Sequence, residues 1–537
     1  MNRLLRILRP SHEHSARSAA ALLMAAVMAS RVIGYVREAY IAWAFGAGPQ
    51  TDAYVAGFTI PDWLNYLVAG GTAAITFVSI YTRFLAQKKE EDAQRTFSVI
   101  ITVMTLVLCV GTLLAEIFTP QIERHMFGGF SADQLALCVH LTRILLPAQI
   151  FFYVGGVVSA VLLSRRLFLF PAFGPLLYNV AIIMGGVLFS RRLGISSLAY
   201  GALAGAIIGP FLVNAIGAAR TGIGYRISFD LSNPAFREWV RMSIPLMIGV
   251  SLVSADDWIL RYFASSSAGD ITRLNYAKRL FAVPIAVLGQ ATGQASLPFF
   301  ARLFGELRMK EFSTTVNASI SRIVAASLLV SSLMAATALP VMDLVYRRGH
   351  FHFSDSEITA VYFSWFSLSL ALWSAQALYA RAFYASGNTL TPMVASTLIT
   401  LASLPMYAAL YHAFSTAGLA IASDVGILAN TLAVAVLLDR YKLVPLSGLQ
   451  WGELGKSAIT ALGAGLLSYR VGAEVALRDS RVADLKSLAL TGLTWAGAVA
   501  AGLWLTRSQL LKDLRSVRRG NGGVPSAAAE LSRGAEP

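Results

Sequence analysis

Runs of about twenty predominantly apolar residues, each long enough to cross the hydrocarbon of a bilayer as a helix, recur along nearly the whole chain. They fall at 18–45, 52–84, 92–118, 132–163, 170–190, 196–218, 236–264, 270–303, 311–340, 355–386, 389–412, 417–438, 452–472 and 484–506. Backbone polar groups in lipid must be satisfied within the segment, so the pattern specifies an all-α polytopic membrane protein. It gives about 14 transmembrane helices with short connections. Several runs exceed what a straight span needs, which predicts tilted or kinked helices, or ends that project from the bilayer. Composition agrees: 56% hydrophobic residues and 14% charged ones, with a mean hydropathy of +0.61, exclude an ordinary soluble globule.

A net charge of +15 in a soluble protein would point to nucleic acid. Here the cations crowd particular connections, so no nucleic-acid partner is expected. Arg3, Arg6, Arg9 and Arg17 precede the first run, and Arg83, Lys88, Lys89 and Arg95 follow the second. Arg165 and Arg166 follow the fourth; Arg220, Arg226, Arg237 and Arg241 surround the link between the sixth and seventh. Arg302, Arg308 and Lys310 come after the eighth, and Arg507, Lys512, Arg515, Arg518 and Arg519 after the last. All of these share one side if both termini are cytoplasmic, as the positive-inside rule requires. Arg191 with Arg192, Arg347 with Arg348, and the basic stretch from Arg470 to Lys486 run against it. The charged second half of the first run argues against a cleaved signal peptide. Cys109 and Cys138 have no metal-type spacing, so neither a disulfide framework nor a metal site is expected. The tail from Gly520 to Pro537 has the composition of a disordered segment.

Two halves of about 220 residues resemble each other. The stretch FVSIYTRFLAQKKEEDAQRTF matches LPFFARLFGELRMKEFSTTV, aligning Arg83 with Arg302, and LLSRRLFLFPAFGP matches FYASGNTLTPMVAS, aligning Pro171 with Pro392. Each half holds six helices, so both enter from the same side and a pseudo-two-fold axis runs along the membrane normal. The expected divisions are 1–225 for a first lobe, 226–445 for a second, 446–510 for two extra helices, and 511–537 for a cytoplasmic tail. Pro61, Pro147, Pro245, Pro284 and the pair Gly70-Gly71 mark candidate kinks.

Charges within apolar runs carry the chemistry. A mid-membrane arginine costs about 2.5–3.5 kcal/mol on insertion scales and normally faces a watery cavity or a partner. The first run carries Arg31, Arg37 and Glu38. Six residues separate the arginines, a difference of roughly 120° round an ideal helix, so both can line a wide cavity if Gly34 bends the helix between them. Glu38 can pair with an arginine and lower its cost while the site is empty; one of the cations could instead snorkel toward the interface near Tyr40 and Trp43. Asp52 either caps its helix or belongs to a gate. In the eighth run Lys278 and Arg279 precede Pro284 and repeat the logic of the first run from the second half. Guanidinium forks suit phosphate, so cations from both halves facing one cavity would grip a pyrophosphate. Asp256 and Asp257 read either as a cation or proton coupling site or, for Asp257, as an ion pair with Arg261 one turn on. No residues read as catalytic. An enzyme acting on a membrane lipid would need clustered acid, base or metal groups, whereas Glu123, His125, His350, His352 and Asp355 read as scattered, solvated loop chemistry.

At these residues the chain resembles a known family. SRVIGYVREAYIAWAFGAGPQTDAYVAGFTIPDWL looks like the start of the MurJ/MviN lipid II flippases, of the multidrug/oligosaccharidyl-lipid/polysaccharide exporter superfamily. FPAFGPLLYNV and NYAKRLFAVP resemble later motifs of that family. The resemblance implies two six-helix lobes around a cationic cavity, with the last two helices forming a groove for the polyprenyl tail. On it Arg31, Arg37 and Arg279 match functional arginines, Glu38 replaces a usual aspartate, and Asp52 matches an acidic position. Three departures stand out: Asn65 occupies a place where arginine is common, Lys278 one where aspartate is usual, and Ala282 one that is usually acidic. The substrate-binding set is then Arg31, Arg37, Arg279, Lys278 and Asn65, with Glu38 and Asp52 for gating or charge pairing.

The expected function is a flippase for the lipid-linked peptidoglycan precursor lipid II, a transporter in the bacterial inner membrane, working by alternating access without a cofactor. Membrane potential or a cation gradient would drive it. Membrane lipids and cell-wall synthesis proteins are the other expected partners. A flippase for another polyprenyl-pyrophosphate-linked oligosaccharide and a cation-coupled drug exporter are the rivals within transport; the latter would want a more apolar or acidic pocket. A non-transporting scaffold would have little use for intramembrane charges.

Overall fold

The computed structural model describes residues 16–66, 71–165, 167–253, 255–476 and 480–510. Arg3, Arg6, Arg9, Gly70, Arg166, the basic residues from Lys512 to Arg519 and the tail from Gly520 lie outside the described residues. Within them the chain is helical, with no strand among the described elements. Eight helical segments are individually long and apolar enough to cross a membrane, or nine if Phe353–Leu368 and Leu370–Ala385, bent by 41°, count as one span. The first run lies in one unbroken helix, Ala16–Phe45, which continues through Gly34 and carries four charged residues, Arg17, Arg31, Arg37 and Glu38. The second is divided into Pro49–Ala56, Thr59–Leu64 and Gly71–Ala86.

Breaks in the helices follow identifiable chemistry. Pro147 separates Ala132–Leu145 from Ala148–Ser164. At Pro284 the α-helix Asp270–Pro284 gives way to a π-helical segment, Ile285–Ala291, before Thr292–Gly305 resumes. A proline removes one backbone donor and crowds the preceding turn, and wider winding is one way to absorb that. Pro210 lies inside a second π-helical segment, Ile207–Val213. Pro245 lies within Pro234–Val253, which is continuous helix. The 51-residue helix Leu390–Arg440 contains non-helical backbone at Phe414 and Ser415, the place where the sequence separates two spans.

The chain separates into two compact units, residues 1–275 with 346–352, and residues 276–345 with 353–537. In the first, Phe77, Tyr81, Phe97, Tyr153, Val161 and Trp239 form a core that joins Gly71–Ala86, Glu90–Met126, Ala148–Ser164 and Pro234–Val253. In the second, Phe300, Phe312, Leu378, Phe383, Val434 and Leu438 do the same for their helices. The last two helices, Trp451–Ala476 and Arg481–Leu505, pack on Met309–Ala336 through Leu329, Ala461, Ala464, Val499 and Leu503, and Trp495 Nε1 donates to Ser332 Oγ at 3.0 Å.

Glu90–Met126 shows the polarity expected of a helix in lipid. Val110, Leu113, Leu114 and Ile117 are exposed, while Thr112, Ala115, Thr119 and Glu123 are buried. An exposed apolar stripe backed by a buried polar one suits lipid outside and protein inside. Glu123 therefore corrects the sequence expectation of a solvated loop residue: the helix outlasts its apolar window, and the carboxyl falls on the inward face at 0% exposure. Asp355 is buried as well, at 7%, whereas His125, His350 and His352 are exposed.

The connections repeat at the spacing of the sequence repeat. Lys88 and Leu307 both have φ of 57°; the next residues donate back in the same way, Lys89 N to Phe84 O and Arg308 N to Leu303 O. Leu167 N to Leu162 O is matched by Asn388 N to Phe383 O, and Ile223 N to Ala218 O by Leu443 N to Leu438 O. Gly194, with φ 55° and ψ −139°, is matched by Ser415, with φ 51° and ψ −144°. These pairs stand roughly 220 residues apart, the spacing of a duplicated bundle.

In the first unit the loop 347–352 folds onto the end of Ala16–Phe45. His350 N donates to Trp43 O at 3.0 Å, and Gly349 has φ of 57° with so little room that a Cβ would stand 2.2 Å from Trp43 O. Gly349→Ala is expected to lower stability by about 1–3 kcal/mol through backbone strain and displacement of that contact. Thermal unfolding of the purified protein in detergent measures it.

Candidate functional site

Arg37 is the best-defined cation of the first unit. Its Nη1 donates to Asn179 Oδ1 at 2.7 Å and its Nη2 to Glu38 Oε1 at 2.5 Å. The two charged side chains are 14% and 7% exposed. Asn179 comes from Leu169–Leu193, and its orientation is fixed from the other end: Nδ2 donates to Pro175 O at 3.0 Å and approaches Ser30 Oγ at 3.4 Å. The carboxamide oxygen is thereby turned to the guanidinium. A guanidinium has five donors in a planar fork, and two are engaged among the described residues, so an anion can be received without dismantling the pair. Glu38 supplies the counter-charge that makes a half-buried arginine tolerable without ligand. Arg31, on the same helix, is exposed.

Asp52 caps a helix other than its own. It is buried in Pro49–Ala56, where its Oδ2 accepts Gly269 N at 2.5 Å, and its Oδ1 accepts Thr272 N at 2.8 Å and Thr272 Oγ1 at 2.6 Å. Those donors open the helix Asp270–Pro284. A carboxylate placed there satisfies otherwise unpaired N–H groups and meets the positive end of the helix dipole.

Asn65 is half-buried just after Thr59–Leu64, with its N–H bonded to Asp62 O and Pro61 O. A cation nevertheless reaches this short helix. Arg261, from Ala255–Ala264, donates from Nη1 to Thr59 Oγ1 at 2.8 Å and lies 3.8 Å from Asp62 Oδ2. Arg261 is thus directed at another helix, while Asp256 and Asp257 stand in the first turn of its own, half-buried and exposed respectively.

Lys278 and Arg279 belong to the second unit. Lys278 is half-buried with Nζ 5.8 Å from the centroid of the Phe366 ring, a cation–π contact. Phe281 stacks on the same ring at 6.1 Å. Arg279 and Ala282 are exposed. The structure therefore joins Arg37 with Glu38, ties Asp52 to the Gly269–Thr272 turn, and holds Lys278 on an aromatic platform. Asn179, Asp62 and Arg261 are polar participants that the sequence reading did not single out as a group. Asn179 lies in the quoted FPAFGPLLYNV motif, and an amide inside an apolar run was the available signal.

The model of the family described as lipid II flippase MurJ matches residues 41–472, a stretch that includes Asp52, Asn65, Lys278 and Arg279 and begins just after Arg37. The lipid II flippase MurJ of Burkholderia cenocepacia is 28% identical over 415 residues, covering 75% of this chain and 80% of that protein. The probable lipid II flippase MurJ of Buchnera aphidicola is 26% identical over 427 residues, covering 78% and 82%. Among solved structures, lipid II flippase MurJ in an inward closed conformation aligns with a TM-score of 0.75 at 20% identity, covering 90% of this chain and 99% of that one. An inward-facing multidrug resistance MATE family transporter of the MOP superfamily aligns at 0.64 with 15% identity, covering 79% and 98%. At these identities the structural likenesses speak for the fold alone; the match of the family model over most of the sequence goes further, and this chain belongs to the MurJ lipid II flippase family.

Proposed function

We propose that this protein translocates lipid II, a polyprenyl-pyrophosphate-linked saccharide, from the inner to the outer leaflet of the bacterial cytoplasmic membrane. The observation that carries the reading is the family match over residues 41–472. The process is transport in peptidoglycan biosynthesis, and no bond is made or broken. Fourteen spans form two six-helix lobes with both termini cytoplasmic, and two further helices hold the polyprenyl tail; the recurrence of the same connecting turns in both halves supports the duplicated lobes.

In the proposed cycle the pyrophosphate and sugar are captured on Arg31, Arg37, Lys278 and Arg279 while the tail stays in lipid. Arg37 offers the donors left over from Asn179 and Glu38, and Glu38 reclaims the guanidinium when the headgroup leaves. Lobe motion then exposes the headgroup on the other side. Asn65, where the family resemblance leads one to expect a cation, contributes an amide, and Arg261 brings a guanidinium to the adjacent turn. Resetting the carrier can draw on the membrane potential, about 2.3 kcal/mol per elementary charge per 100 mV, or on a cation gradient acting through Asp256 and Asp257.

Depleting the protein in its own cell tests the substrate directly. The expected result is accumulation of lipid II in the inner leaflet, identified by mass spectrometry and leaflet-specific labelling. Accumulation of a different lipid-linked saccharide would replace the substrate while keeping the mechanism; an unchanged precursor pool would remove the proposal.

A further inference from the structure

Glu123 is fully buried near the C-terminal end of Glu90–Met126 and takes no part in the proposed transport site. Three segments of the first unit meet at it. Its own helix contributes buried Thr119 one turn earlier; Ala132–Leu145 contributes buried Thr142 and Cys138; and the turn after Pro49–Ala56 brings the Gly57 carbonyl. Gly57 allows that approach, since a Cβ there would stand 3.3 Å from Thr142 Oγ1.

A count of hydrogens assigns the state of the carboxyl. The Thr142 hydroxyl has one proton but bonds two oxygens, Gly57 O at 3.1 Å and Glu123 Oε1 in a short contact. Gly57 O can only accept, and its regular helical donor four residues on would be Pro61, which has no N–H. Giving the one Thr142 proton to Gly57, which has no regular helical donor, leaves the proton of the second bond to come from Glu123. An ionised carboxylate has none to give.

The surroundings fit a neutral acid. Glu123 Oε2 is buried with no hydrogen-bond partner among the described residues, and the thiol of Cys138 beside it is at most a weak donor. The neighbouring cations have closer partners of their own, although Arg143 still acts on the carboxyl through space. Arg143 of Ala132–Leu145 lies 3.8 Å from the Glu116 carboxylate and donates to the Glu116 carbonyl. Arg261 of Ala255–Ala264 is engaged with Thr59 and Asp62. Asp52, on Pro49–Ala56, is engaged with Gly269 and Thr272. Arg124 and His125 on the same helix are exposed. Roughly 220 residues on, at the repeat spacing, the second unit also buries a carboxyl, Asp343 at 1% exposure.

We propose that Glu123 is a proton-binding site: in this conformation it is a carboxylic acid whose hydroxyl fastens Glu90–Met126 to Ala132–Leu145 through Thr142. Releasing the proton leaves a buried anion that Thr142 can satisfy only by turning its own proton away from the Gly57 carbonyl, so both bonds hold together only while the proton is bound. The reading is independent of which lipid is carried.

Thermal unfolding of the full chain in detergent across pH, for wild type and Glu123→Gln, tests it. A buried neutral acid holds its proton more tightly folded than unfolded, so its stabilisation is present at low pH and lost as pH rises. The wild-type midpoint is expected to fall with rising pH by more than that of Glu123→Gln, whose amide donates to Thr142 at every pH. Equal slopes overturn the proposal. Should the glutamine variant not fold, infrared spectra of wild type and Thr142→Val decide. The expected result is a carboxylic-acid carbonyl band at neutral pH that shifts when the threonine hydroxyl is removed. No such band, or a band unmoved in Thr142→Val, overturns it.

Discussion

Arg37→Ala is expected to abolish lipid II translocation and to destabilise the first unit by about 3–5 kcal/mol, the usual consequence of removing one partner of a buried ion pair. Glu38, 7% exposed at its side chain, would lose its counter-charge, and Asn179 Oδ1 would lose the donor toward which its amide is turned. Loss of function alone would therefore not separate ligand binding from folding. The double variant Arg37→Ala/Glu38→Gln does, because the glutamine removes the stranded charge. Its unfolding midpoint is expected to recover most of the deficit while translocation stays lost. Recovered translocation would mean that Arg37 serves only the fold. Arg37→Lys should fail in part: an ammonium lacks the planar fork that holds Asn179 and Glu38 together and still presents donors outward. Complementation of a depleted strain, read beside the unfolding midpoint of each variant, measures the set.

Asp52→Ala is expected to cost at least about 3 kcal/mol. It strands the Gly269 and Thr272 N–H groups and the Thr272 hydroxyl, and hydrogen bonds to a charged acceptor contribute about 1.5–3 kcal/mol each. It also removes the anion from the start of Asp270–Pro284. Asp52→Asn keeps one oxygen for Thr272 but turns an NH2 toward the Gly269 N–H, so it should fall between wild type and alanine. Hydrogen exchange at Gly269 and Thr272, with thermal unfolding, reads the effect. Unchanged protection in Asp52→Ala would place the capping of that helix elsewhere.

The helical runs were legible because lipid imposes a length on apolar segments, and because the turns between them repeat in both halves. The π-helical windings at Ile207–Val213 and Ile285–Ala291 were not, since a proline announces that a helix must adapt but not how. Of the charged groups, Arg37 and Glu38 were visible as charges inside an apolar run. Asp52 was read either as a cap of its own helix or as part of a gate, whereas the helix whose N–H groups it accepts begins more than two hundred residues away, a contact that no local pattern encodes. Glu123 was passed over because its apolar window ends early; the spacing of Thr112, Ala115, Thr119 and Glu123 along one helix face was the available sign. For Arg261 the i,i+4 spacing offered Asp257 as one partner, with a coupling site at Asp256 and Asp257 as the other reading; its contacts with Thr59 and Asp62 come from tertiary packing that the spacing does not encode.

In the proposed cycle, cationic side chains of this chain hold the pyrophosphate of lipid II during translocation. Arg279 is exposed in the second unit, so its removal leaves no buried void, and the unfolding midpoint is read beside transport to separate folding from ligand binding. Purified wild type and Arg279→Ala, reconstituted in vesicles with fluorescent lipid II in one leaflet, provide the measurement. Wild type is expected to move the lipid to the other leaflet, and the variant to leave it in place at an unchanged unfolding midpoint. Equal translocation by the two proteins, or none by either, would contradict it.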